Sequence, residues 1–410
     1  MVEMQKALRQ AFHRMSIFRK TLIILLTFLS FVSECPAATL KGRAKKKTTT
    51  REDPQPRFKI NPSRKPMTPP SVSAEAAEDP ILKAMPAFTD MDLPTDNQML
   101  FSRMNEKDFF QPTFSNRTIS AMFGYVRNPG PGGRYTRFHE GVDIRPAERD
   151  EGGEPSDVVK AAAAGTVAYV CRKPSGSNYG NYVVVAHDLF GPPFYTLYAH
   201  LASVADDIET GTVVERGRTL GILGRTSNEF DIDQDRAHLH FEVDLMVNPR
   251  YIEWSKKKGD GVPKHGLYNG ANLIGVDPVR FFQFMQYNPD LGIGEFVQRE
   301  RVAFRLLVPA KKPLPWIKRH PFALTAPVTD ETVAYEISMT NYGLPVRVIP
   351  RTKSEIASGA RKAMANGLYP LTYANGAELR NACVCQLLYN RGSRWGLSTK
   401  GKEWIQQLMF

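Results

Sequence analysis

The chain has 410 residues, 42% of them hydrophobic, enough for a large core or for two to three domains. A formal net charge of +12 and a pI near 9.4 suit an anionic partner, either an envelope polymer or nucleic acid. Only four cysteines occur, none in a Cys-x-x-Cys pair, which excludes the usual spacing of a structural zinc finger.

The first 20 residues are basic with few acids, Thr21 to Ser33 form an uncharged apolar run, and Cys35-Pro36-Ala37-Ala38 offers small residues for cleavage. This pattern predicts a signal peptide over 1–38 and export to the periplasm or cell envelope. The run is short for a bilayer span, so membrane attachment is expected only through the signal or an uncleaved N-terminal anchor. An exported chain has little occasion to meet nucleic acid, and none is expected as a partner. Residues 39–98 read as a Pro-rich disordered linker, basic to about Pro70 and acidic from 75. The basic part fits an anionic polymer or a solvated tether, and the acidic part leads into the next domain or covers part of it.

From 115 to 285, short β-runs alternate with Gly, Pro and Asn turns and show scarcely any helical periodicity, so a largely antiparallel β domain is expected. In Phe138–Ile144 (FHEGVDI), His139 and Asp143 fall on one face if the segment is extended, and Val142 and Ile144 favour that form. In Tyr195–Leu201, alternation places Thr196, Tyr198 and His200 together. In Ala237–Val243 (AHLHFEV), His238, His240 and Glu242 share one face and Leu239, Phe241 and Val243 the other, as in a half-buried strand presenting two imidazoles to a groove. Two imidazoles and one carboxylate form a three-ligand set with a fourth tetrahedral position left for water, the arrangement of catalytic zinc. Four histidines compete for the two imidazole places, and spacing does not choose among them. The plain alternative is two histidines on a wet sheet face.

These segments, in this order, resemble the lysostaphin-like (LytM, M23) zinc metallopeptidases that cut peptide bonds in peptidoglycan. The family's His-x-x-x-Asp corresponds to His139–Asp143, its Tyr-x-His-Leu to Tyr198–Leu201, and its His-Leu-His-Phe-Glu to His238–Glu242. Between them, Ala164–Val167, Tyr179–Val185 and Gly211, Gly217, Gly221 and Gly224 look like the family's turn positions. The resemblance implies one Zn2+ held by His139, Asp143 and His240, with His238 and His200 as unligated catalytic histidines. It also implies peptidoglycan peptides as substrate, within a metallopeptidase domain over 99–294.

The chemistry accommodates those roles. A catalytic zinc lowers the pKa of water to about 7 and polarises a carbonyl. No His-Glu-x-x-His occurs, so an unligated histidine must manage protons. His238 is read as the general base and His200 as the stabiliser of the tetrahedral oxyanion. Glu242 is expected to orient His240. Tyr135 either donates to the oxyanion or packs in its glycine-rich loop. His187 is expected to pack or cap a strand end, and neither His265 nor His320 has partners at ligand spacing.

One departure from the family is the stretch 247–275 before Val276-Asp277-Pro278, Lys-rich with Tyr251, Trp254 and Tyr268, read as a groove wall or a neutral surface loop. The resemblance stops near Gly294. Residues 295–410 read as a small α+β module, with strands over 295–350, helices over Ser354–Asn366 and Glu378–Tyr389, and a terminal strand and helix similar to the end of a winged-helix domain. It is assigned an envelope protein partner and a role in where the enzyme acts. A Cys383–Cys385 bridge would close a strained loop, and pairing of Cys171 with either stays open. Three alternatives to an endopeptidase stand beside it. A non-catalytic LytM-type activator of wall amidases is disfavoured by the complete ligand set, a lipoyl carrier by the lack of an Asp-Lys turn, and a stem-peptide carboxypeptidase differs only in releasing a terminal residue.

Overall fold

The computed structural model describes residues 91–102, 105–127, 137–187, 193–228, 231–288, 291–310, 313–382, 387–392 and 394–410. The signal segment 1–38, the linker up to 90, Tyr135, Cys35, Cys383 and Cys385 lie outside the described residues.

Strands β1 (Val126–Arg127) and β2 (Arg137–Phe138) pair with each other and lead into β3 (Val142–Ile144). They are followed by β4 (Val158–Lys160), β5 (Gly165–Cys171), β6 (Asn181–His187), β7 (Phe194–Leu201), β8 (Ser203–Val204), β9 (Val213–Val214), β10 (Thr219–Ile222), β11 (Leu239–Met246) and β12 (Leu273–Val276). The main sheet has the order β12-β11-β7-β6-β5-β9, with β3 added to the edge of β11, and β4-β10-β8 form a small second sheet. The architecture is mainly β and its strand pairs are antiparallel, as the turn-rich sequence indicates.

Alternation along the central strands gives the main sheet two different faces. Leu239, Phe241, Val243 and Leu245 of β11, with Phe194 and Tyr198 of β7 and Val183 and Val185 of β6, enter a core that also holds Phe281 and Phe282. The opposite face carries Tyr195, Leu197 and Ala199, Tyr182 and Val184, and Met246, with Leu267 and Tyr268 laid over it. Those two cover residues come from the stretch after the family-like motif, which is not structureless. It holds helix α1 (Tyr251–Lys258), ended by Gly259 in the left-handed conformation at φ +94°, and it supplies β12. Tyr182 donates from its hydroxyl to the Tyr268 carbonyl (2.9 Å), fixing this cover to the sheet.

Helix α2 (Pro278–Tyr287) starts where the sequence offers Asp-Pro. Pro278 sits in the first turn, and the Asp277 side chain accepts from the Arg280 backbone N–H at 3.2 Å. After α3 (Ile293–Gln298), β13 (Phe304–Pro309), α4 (Pro315–Arg319), β14 (Thr332–Met339) and β15 (Pro345–Thr352), the chain forms α5 (Ser358–Ala365), β16 (Leu371–Ala374), α6 (Gly376–Ala382), β17 (Leu388–Arg391), β18 (Arg394–Leu397) and α7 (Thr399–Met409). The sheet here is β15-β14-β13-β16. The helix expected over Glu378–Tyr389 is shorter than expected. Leu388–Arg391 pairs antiparallel with Arg394–Leu397 around Gly392 at φ +68°, and that hairpin takes the backbone groups a helix would have used. One buried cluster runs from Met91 to Leu408, and the Phe281 and Phe296 rings meet at 5.3 Å across the position where the family pattern ends.

Candidate metal centre

Strand register brings the first two groups together. β3 pairs with β11 so that Asp143 is directly opposite His240, and cross-strand partners project from the same face. His139 precedes β3 in a short link whose backbone is fixed on both sides, His139 N–H to Tyr125 O at 3.0 Å and Gly124 N–H to His139 O at 2.9 Å. Its Nδ1 lies 2.9 Å from the Met122 carbonyl, which turns Nε2 inward. Gly141 permits the approach of β3 to β11, because a Cβ there would stand 2.3 Å from the Phe241 carbonyl oxygen.

The three inward atoms form a small triangle. His139 Nε2 is 2.9 Å from Asp143 Oδ1 and 3.1 Å from His240 Nδ1, and His240 Nδ1 is 2.9 Å from Asp143 Oδ1. All three residues are buried. Tetrahedral zinc with bonds of about 2.0–2.1 Å needs donors roughly 3.3 Å apart, so the triangle matches to a few tenths of an ångström. The outward nitrogen of each ring is also occupied, His139 Nδ1 by a carbonyl and His240 Nε2 by Glu242 Oε1 at 2.7 Å, as in ligating imidazoles elsewhere. The residues fit the metal that the sequence implies. For His240, burial opposes the charged form but the bonds to Asp143 and Glu242 outweigh it, raising its pKa to about 9. Metal binding at neutral pH therefore displaces a proton from this ring.

His238 and His200 stand beside the triangle. His238 lies one residue before β11, on the His240 face, with Nε2 3.5 Å from Asp143 Oδ1 and Nδ1 2.7 Å from the Arg236 carbonyl. The His200 ring is centred 4.9 Å from that of His238 and 5.9 Å from that of His240, with Nδ1 2.8 Å from the Thr226 carbonyl. Its route to the site is not the one alternation predicts. Thr196 and Tyr198 face the other side of the sheet, where Thr196 Oγ1 and Tyr198 Oη bond each other at 2.9 Å. His200 reaches the metal face because its backbone is left-handed, at φ +61°, next to a register shift between β6 and β7. Such a conformation in a non-glycine residue costs about 1–2 kcal/mol and is retained where the surroundings impose it. Burial, then the neighbouring His238 and His240, push the His200 pKa well below 6.5, so the ring is neutral with its proton on the Thr226 side.

Four contributors are missed by sequence reasoning. The Tyr179 hydroxyl donates to Glu242 Oε1 at 2.9 Å and its ring lies 5.8 Å from His240, although Tyr179 reads in sequence only as part of a turn. The Met122 and Thr226 carbonyls set two imidazole tautomers, and main-chain acceptors leave no mark in composition. Asp244 extends the His238-His240-Glu242 row by one more step, which alternation alone would have shown. The expected structural histidine is found: His187 is buried, with Nδ1 2.8 Å from Ala164 O and Nε2 2.8 Å from Thr196 Oγ1. His265 bridges Tyr169 Oη (2.9 Å) and Gly176 O (3.0 Å), and His320 is buried beside the Met246 carbonyl.

Residues 137–252 match peptidase family M23, and the matched span contains His139, Asp143, His200, His238 and His240. The likeness to family M23 covers this segment of the chain. Among solved structures, the M23 segment's chain is similar to a zinc-containing peptidase of Vibrio cholerae (27% identity, 33% of this chain and 35% of that one, TM-score 0.24). It is also similar to the catalytic domain of lysostaphin from Staphylococcus simulans (19% identity, 40% and 89%, TM-score 0.25) and to Csd3 of Helicobacter pylori (20% identity, 41% and 37%, TM-score 0.22). The chain spans about a third of the length of the Vibrio and Helicobacter proteins. No curated protein matches the chain.

Proposed function

We propose that this protein is an exported zinc metalloendopeptidase that hydrolyses peptide bonds in peptidoglycan stem or cross-link peptides. The observation that carries this reading is the convergence of His139, Asp143 and His240 on one point, with two further imidazoles beside it and, among the described residues, no fourth protein ligand in the group. Zinc in that triangle would supply Lewis-acid polarisation of a carbonyl and a water of lowered pKa.

The residues divide the remaining work. With Nδ1–H directed at the Arg236 carbonyl, neutral His238 presents Nε2 as an acceptor, and a proton taken there is held 3.5 Å from the Asp143 carboxylate. His238 is therefore assigned as the general base. His200 also has its Nδ1 committed, to Thr226, so it donates from Nε2 only after gaining a proton. Because burial disfavours that charged form, its role as oxyanion stabiliser requires a proton passed on from His238, whose ring is centred 4.9 Å away, as negative charge develops on the substrate. Glu242, with Tyr179 behind it, orients His240.

The test is mass spectrometry of fragments released from purified peptidoglycan by the zinc-loaded full chain. Fragments with new termini inside stem or cross-link peptides are expected, and none after metal chelation. Intact peptidoglycan under the same conditions, with zinc bound, would contradict the reading and favour a non-catalytic activator.

A further inference from the structure

Behind the triangle, β11 buries a second pair of acids. Glu242 and Asp244 are two residues apart on the His240 face and are 1% and 0% exposed. Glu242 Oε1 is engaged by the Tyr179 hydroxyl and by His240 Nε2. Its other oxygen, Oε2, has no donor among the described residues, and neither has either oxygen of Asp244. The two side chains are successive on that strand face. Two bare carboxylates facing each other in a dry site repel, and neither can donate. One proton between them turns that repulsion into a hydrogen bond. Oε1 of Glu242 is already an acceptor for two partners, whereas Asp244 has none.

We propose that Asp244 is a buried carboxylic acid whose O–H donates to Glu242 Oε2, making it a positioning residue for the metal ligand His240. Three groups then hold Glu242: Tyr179, His240 and Asp244. The His240 ring is locked with Nε2–H on Glu242 and Nδ1 toward His139 and Asp143. Burial, followed by the nearby charges of Glu242 and Glu140, supports this by pushing the Asp244 carboxyl well above the usual carboxylate range. The inference rests on the metal-site reading and not on peptidase activity.

The test compares Asp244→Asn, which keeps a donor in the same shape, with Asp244→Val, which is apolar, each in the full chain. Zinc affinity is measured by competition with a chromophoric chelator, and unfolding midpoints are measured alongside. Asn should bind zinc within about threefold of the wild type, and Val about tenfold or more weaker with an unfolding midpoint no lower. Val binding as tightly as the wild type, or Asn losing as much as Val, would overturn the assignment. If Val does not fold, infrared difference spectra of wild type against Asn decide. The carbonyl stretch of a protonated carboxylic acid should be present in the wild type at neutral pH and absent from Asn, and its absence from the wild type overturns the proposal. A zinc-loaded protein inert on peptides would count against the peptidase reading alone, which neither arm measures.

Discussion

At the scale of single residues, the proposed ligand and the proposed general base are separated by one position in sequence, since His238 and His240 share a strand face but only His240 lies close to both His139 and Asp143. His238→Ala should therefore keep zinc and fold while kcat falls by about two to four orders of magnitude, as single-turnover hydrolysis of a stem-peptide dimer would show. His200→Asn should hold stability within about 1 kcal/mol, because asparagine tolerates the left-handed backbone, and still lose most of its turnover. Even spacing on a strand made the shared face of His238, His240 and Glu242 legible in sequence, whereas the choice of His139, Asp143 and His240 as the ligand set rested on the family resemblance. His200 was legible only as a motif. Period-two reasoning groups it with Thr196 and Tyr198, and the positive φ that turns it the other way is a tertiary effect that no local pattern carries.

At the scale of elements, the metal centre depends on β3 lying in register on β11. Gly141→Ala would drive a Cβ into the Phe241 carbonyl, so it should destabilise the fold by about 1–3 kcal/mol in urea unfolding and weaken zinc binding. The helix α4 segment supplies a second test. His320 is 1% exposed, with Nε2 3.2 Å from the Met246 carbonyl at the end of β11, and burial lowers its pKa to about 3. A histidine depressed in the folded state binds protons first in the unfolded state, so its contribution to stability is full above pH 6.5 and is lost as pH falls toward 3. The loss should be about 1.4 kcal/mol per pH unit in that window. His320→Phe should reduce the slope of unfolding free energy between pH 6.5 and 3.5 by about one proton. An unchanged slope would mean that His320 charges in the folded protein. The strands of the segment matching family M23 were readable from turn residues and alternation. The Leu388–Arg391 hairpin was not, because a short run with helical spacing carries no sign of the partner strand that claims it.

At the scale of the whole molecule, the chain after 294 is joined to the M23 segment by more than sequence continuity. Asn248 donates to Gln407 O (3.1 Å), Gln407 donates to Ala271 O (2.9 Å), and Arg319 reaches the Val247 carbonyl, so the stretch that covers the metal face is itself held by the C-terminal part. A chain cut to 100–292 should accordingly unfold roughly 10 °C or more below the full chain in thermal melts. An unchanged melting profile would show that the C-terminal part is an independent module concerned only with recruitment. The central claim is narrower than the substrate or the recruitment, and it concerns which side chains hold one metal ion. Metal content by inductively coupled plasma mass spectrometry, on zinc-equilibrated wild type, His240→Ala and His238→Ala, tests it directly. One zinc per chain is predicted for the wild type and for His238→Ala and none for His240→Ala, and stoichiometric zinc in His240→Ala would contradict the account.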